Sequence, residues 1–206
     1  MAALLILNVA GCKSAYYATY EKFGVYKRDL LKKRVIEARD DQKEAQKEFK
    51  SALQRLKEIT QFDGGKLEKT YNSLKSEYDT CSKQADVVHK RIREVESVAA
   101  DMFAEWDKEN AQISTASLRN ASRQQLVDTK ARYEELHHAL VEAEQTMTPV
   151  LRQYNDYVLY LKHDLNALAI DSLKVEAASI TTEINRLIEQ MNQSIARADD
   201  FVKGMK

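Results

Sequence analysis

The chain has 206 residues, with 32 basic residues balancing 32 acidic ones, so its formal net charge is zero. That balance argues against a nucleic-acid binder, which draws most of its affinity from neutralising phosphates with a basic excess. Only five glycines and one proline punctuate a chain that is 31% charged, a composition that points to long helices and little else.

Residues 1–11 read MAALLILNVAG, an apolar run that ends in small residues directly before Cys12. A run this short cannot span a membrane, which takes about 20 apolar residues. It resembles the core of a secretory signal, and Val9-Ala10-Gly11-Cys12 resembles the lipobox of bacterial lipoproteins. The resemblance implies cleavage before Cys12 and lipid attachment to its sulfur and new amino group, several chains being needed for stable anchoring. The positive residues that usually open such a signal are absent. The other reading is that these residues simply begin the first helix, which would leave the protein cytoplasmic. The expected organisation is a signal segment over 1–11 and one helical domain over 12–206.

Next comes an aromatic cluster, Tyr16, Tyr17, Tyr20, Phe23 and Tyr26, beside the basic residues Lys27, Arg28, Lys32, Lys33 and Arg34. Aromatic rings favour membrane interfaces, and basic side chains favour anionic headgroups. Two readings follow: a peripheral membrane contact through residues 16–34, or aromatics that cap one end of a bundle beneath solvated charges.

The first helix is expected over 15–60. Its apolar positions step by threes and fours: Leu31, Val35, Ala38, Gln42, Ala45, Phe49, Ala52, Leu56 and Ile59. Gln42 is either a register-setting amide or a polar residue tolerated near an exposed end of the layer. Phe62-Asp63-Gly64-Gly65 predicts a turn. A second helix over 66–112 carries Leu67, Tyr71, Leu74, Tyr78, Cys81, Ala85, Val88, Ile92, Val95, Ala99, Met102 and Trp106. Cys81 takes a seam position, where a thiol acts as a small apolar group.

The polar stretch from Ser114 to Ser122 contains one large apolar residue, Leu118. Ser122 and Gln125 are spaced as a capping box, so the third helix is expected to start there and reach 163. Its seam is Tyr133, Leu136, Leu140, Ala143, Met147, Val150, Tyr154, Tyr157 and Leu161, with Pro149 inside as an expected kink. Asp164-Leu165-Asn166 marks a phase change before Leu173, Ala177, Ile180, Ile184, Leu187, Met191, Ser194, Ala198 and Phe201. A short turn near 164–168 makes four helices; without it, the third and fourth fuse into one long helix of a three-helix bundle. The preferred fold is all-α, an elongated antiparallel up-down coiled-coil bundle of four long helices.

Chemistry-bearing residues are sparse. Glu134 and His137, and Glu135 and His138, are Glu-x-x-His pairs on the third helix, and His89 lies on the second. Folding the two helices about the loop near 115 is expected to bring His89 level with His138 and its neighbours. Di-metal bundles use such pairs with their side chains pointing inward. Here the seam residues are Val88, Leu136 and Leu140, so these groups flank the core. A metal site of His89, Glu134, His137 and His138 is the minor expectation, and solvated polar residues are the major one. No phosphate-binding glycine loop, metalloprotease helix or nucleophile elbow occurs, so no catalytic residue, cofactor or small-molecule substrate is expected.

Several segments at helix ends carry a family resemblance: Ser14-Ala15-Tyr16-Tyr17, Glu21-Lys22, Lys27-Arg28-Asp29, Phe62-Asp63-Gly64-Gly65, Ala116-Ser117-Leu118-Arg119, Leu159-Tyr160-Leu161-Lys162-His163 and Leu165-Asn166-Ala167. On these the chain resembles a bacterial family catalogued as domain of unknown function 2959, whose members look like envelope lipoproteins. The resemblance implies a lipid-anchored protein facing the periplasm, more often at the outer membrane than the inner. It brings no established activity. The expected function is a structural or protein-interaction rod, with the membrane, a protein partner or a second copy as its contacts.

Overall fold

A computed structural model of the protein describes residue 17 and residues 26–60, 67–163 and 167–205. Four helices account for nearly all of these: α1 (Lys27–Thr60), α2 (Leu67–Asn110), α3 (Ala116–His163) and α4 (Ala167–Gly204). Each helix packs on its sequence neighbours, and α1 closes the ring against α4. At 1.5 Å per residue, the 48-residue α3 is about 70 Å long.

Cross-helix contacts fix the directions. Lys27 at the start of α1 pairs with Glu105 near the end of α2, while Ser51 near the end of α1 donates to Glu77 early in α2 at 3.1 Å. Tyr157 near the end of α3 donates to the Glu176 carbonyl early in α4 at 2.8 Å, and Arg39 of α1 reaches Asp199 of α4 at 2.7 Å. All four neighbouring pairs are antiparallel, as short connections between long helices require. The α3–α4 pairing also excludes one continuous helix.

The heptad seams become the core. Every seam residue expected in α1, α3 and α4 is buried, including Gln42 and Ser194. In α2, Leu67, Tyr71, Tyr78, Ala85 and Trp106 are only partly buried against it. Aromatic layers brace the two halves: Tyr133 meets Phe103 edge-on at 5.4 Å and Phe201 at 6.2 Å, and Tyr78 stacks on Tyr154 at 6.3 Å. Charged residues flank the seams. Between α1 and α2, Arg91 bonds Asp41 at 2.7 Å and Glu94 at 2.9 Å, and Arg34 bonds Glu37 at 2.7 Å. These partly exposed networks select partners and register more than they add stability.

Two local expectations change. α3 begins at Ala116, ahead of Ser122, with the Thr115 carbonyl accepting from the Arg119 amide at 3.0 Å. Ser122 accepts instead from the Trp106 indole N–H at 2.9 Å. With its hydroxyl held by Trp106 of α2, Ser122 stands inside the helix and does not cap it. Around Pro149 the helix runs unbroken, and the proline lies on an exposed face. There the carbonyl that loses its amide partner stands toward water. The Phe62–Gly65 turn and residues 164–166 fall outside the described residues.

Cys81 is buried in the middle of α2, and burial pushes its thiol up to about 12. A thiol of that kind holds almost no thiolate at neutral pH. In a Cys12→Ser variant, Cys81 is therefore expected to resist aromatic disulfide reagents until denaturant unfolds the bundle. Rapid stoichiometric release of thiolate from the native protein would contradict this packing.

Candidate functional site

α2 and α3 outrun their neighbours at one end. α1 starts level with Glu105, and the last residue of α4, Gly204, lies against Arg132, sixteen residues into α3. The α2–α3 hairpin, closed by residues 111–115, therefore projects past both. The shoulder this leaves is a cleft of about 770 Å³ lined by all four helices, with Lys27, Arg28, Glu105, Trp106, Asp128 and Arg132 among its walls. A Cβ on Gly204 would stand 2.1 Å from the Arg132 Nη1, so glycine lets that guanidinium lie across the end of α4. A cation there complements the negative end of the helix.

Of the basic and aromatic residues near the N-terminus, the described ones are Tyr17, Tyr26, Lys27, Arg28, Lys32, Lys33 and Arg34, on or beside the first turns of α1. Tyr16, Tyr20 and Cys12 lie outside the described residues. Tyr17 is buried, its hydroxyl donates to Asp101 at 2.7 Å, and the Lys27 ammonium stands 4.7 Å from its ring centre. Lys27 also pairs with Glu105 and is largely covered. Arg34 bonds Glu37 and Glu94, Lys32 donates to the Met205 carbonyl at 3.3 Å, and Lys33 lies 4.0 Å from Glu37. Arg28, with more than half its side chain exposed, lies 3.9 Å from Asp29. Most of these side chains thus make contacts within the bundle, and the Arg28 and Lys33 side chains are also more than half exposed.

The three histidines go to different partners. His89 Nδ1 contacts Glu144, His137 Nε2 lies 2.8 Å from Glu96, and His138 is exposed, 3.8 Å from Glu142. Glu134 shares a shallow α3–α4 groove with His138 and Arg197. The expected alignment of His89 with His138 does not form. His137 is level with Glu96, which lies seven residues, or about 10 Å, along α2 from His89. Among the described residues, no group of three or more His, Cys, Asp or Glu side chains could hold a metal ion.

His89 and His137 instead tie α2 to α3. The His137 ring also stacks on Tyr133 at 5.7 Å. Burial raises the Glu96 carboxyl, but hydrogen bonds from His137 and Arg93 outweigh it and hold the group below its usual range. A depressed carboxyl favours the folded state above its unfolded pKa, and that contribution fades as pH falls through the folded value. Thermal melts should therefore lose stability as pH drops below about 4.5, the ordinary Glu value. Glu96→Gln should flatten part of that acid limb; an unchanged limb would remove Glu96 as a contributor.

No described helix is long and apolar enough to cross a membrane. The described residues thus define an antiparallel four-helix bundle with an apolar interior and polar flanks. The family model described as protein of unknown function (DUF2959) matches residues 16–205, and the chain belongs to this family. No curated protein and no solved structure matches it.

What the sequence missed is the projecting hairpin. Its signal was present in Trp106, Leu118 and Leu126, but their significance depends on where α1 and α4 stop.

Proposed function

We propose that the protein is a non-enzymatic rod of the cell envelope, lipid-anchored at Cys12, facing the periplasm, and serving as a structural or protein-interaction element. The observation that carries this reading is the abutment of two segments. The apolar run with Val9-Ala10-Gly11-Cys12 ends four residues before the family match begins at residue 16. A leader followed at once by a lipid-bearing cysteine and then the folded domain is how an anchored protein is laid out.

The fold supports the rod. Each helix turns its apolar face to the shared core, so the outer faces are charged and ordered along the axis. Faces of this kind suit docking of partners by side-chain complementarity, with charge pattern setting specificity. A peripheral membrane role for residues 16–34 is the weaker reading, because Tyr17, Lys27 and Arg34 make internal contacts.

Metabolic labelling with a fatty acid in a bacterial host tests the anchor. The wild-type protein should take up label and fractionate with membranes, and Cys12→Ser should do neither. An unlabelled wild-type protein would defeat the anchor. Crosslinking in native membranes then tests the rod: recovery as a monomer without partners would defeat the interaction role.

A further inference from the structure

Resting on that anchor, we infer that the α2–α3 tip, residues 110–127, is a contact surface for the headgroups of the bilayer that holds Cys12. Three observations meet there. The first is reach. Tyr17 is fixed to α2 through Asp101, and it lies five residue steps from Cys12. Fully extended, they span at most about 18 Å. From Asp101 to the end of α2 at Asn110 is nine residues, about 14 Å, and the loop extends beyond. The tether is therefore little longer than the overhang. Whether the rod stands or leans, the hairpin end is drawn to the bilayer surface.

The second is charge. Residues 110–127 contain no Asp or Glu, the longest such run among the described residues, in a chain where acids equal bases. Within it Arg123 is exposed, and Arg119 braces the loop through the Ile113 carbonyl at 3.1 Å with donors to spare. Arginine suits phosphate oxygens through its planar fork, and anionic headgroups attract each such cation near the surface.

The third is exposed apolar surface at the end itself: Leu118, in the first turn of α3, is 62% exposed, placed where its side chain could enter the headgroup boundary. Asp107, Glu109 and Asp128 border the tip stretch, but none falls within the loop or the first three turns of α3. At the opposite end, which exposes Leu159 and Tyr160, Asp156 is one turn from Tyr160. Among the described residues, only the tip combines an open large apolar side chain with an acid-free stretch of this length carrying cations.

The test uses the full acylated chain in vesicles of phosphatidylethanolamine and phosphatidylglycerol. An environment-sensitive fluorophore is placed on Leu118→Cys or, at the far end, on Tyr160→Cys; nitroxide headgroup lipids act as quenchers. The expected result is loss of emission at position 118 and none at 160. Arg123→Glu should shrink the loss at 118, as should added salt. No quenching at 118, or equal quenching at both positions, overturns the inference. Intact mass separates the causes: an acylated Cys12 with an unquenched tip defeats the contact alone, and an unacylated Cys12 defeats the anchor with it.

Discussion

Replacing Phe49 with alanine is expected to destabilise the bundle by about 3–5 kcal/mol, the usual cost of truncating a buried aromatic in a packed core. Phe49 is 1% exposed and among the largest fully buried side chains, in the ring where four helices close. The loss combines transfer of the ring to water in the unfolded chain with a cavity that long, mutually braced helices collapse into poorly. Domains of this size shift by about 2–4 °C for each kcal/mol, so the melting temperature should fall on the order of 10 °C. Tyr160→Ala is the control: at 40% exposure it should change stability by less than about 0.5 kcal/mol. Equal effects at the two positions would mean that Phe49 does not sit in a closed core.

The second large effect concerns a side-chain polar pair, Gln42 and Ser194, fully buried in the core. Ser194 of α4 donates to the Gln42 Oε1 of α1, and it also lies 3.0 Å from the Met191 carbonyl. Both side chains are fully buried, and the Gln42 Nε2 has no hydrogen-bond partner. Ser194→Ala would leave the whole amide unpaired, at a cost of about 1–3 kcal/mol. Gln42→Leu acts the other way. It removes a buried donor that is already unpaired, and Ser194 retains the Met191 carbonyl, so the variant should be more stable than the wild type. The opposite signs are the point, and paired denaturant curves read them directly. If both variants lose stability, the Gln42 amide has partners that these contacts do not include. A buried amide of this kind is the sort of group that fixes helix register in coiled coils. Size-exclusion analysis of Gln42→Leu should accordingly look for a second oligomeric species.

Much of the fold was legible because heptad spacing is a local rule. Leu136, Leu140, Ile180 and Ile184 announce their burial through their neighbours three and four residues away, and all four are fully buried. Helix ends were less legible. The Ser122–Gln125 spacing satisfies a capping rule, yet α3 is under way before it, because Trp106 on another helix supplies the partner for Ser122. The candidate metal residues failed for a related reason. Glu-x-x-His spacing is a property of one helix, whereas alignment of His89 with His138 depends on the register between two. That register pairs His89 with Glu144 and His137 with Glu96.

The sequence by itself determined an all-helical chain, four apolar seams, the buried character of Cys81, and the apolar run before Cys12. These follow from residue types at short spacings, where backbone geometry alone decides which side chains share a face. Only the tertiary structure decided that Gln42 is buried, that Tyr17 turns inward to Asp101 and that Lys27 pairs with Glu105. It alone showed that α2 and α3 continue past their neighbours to form a shoulder cleft and a projecting tip. Those features depend on where four helices stop relative to one another. Such offsets come from packing summed over some 70 Å of interface, and no local spacing encodes them.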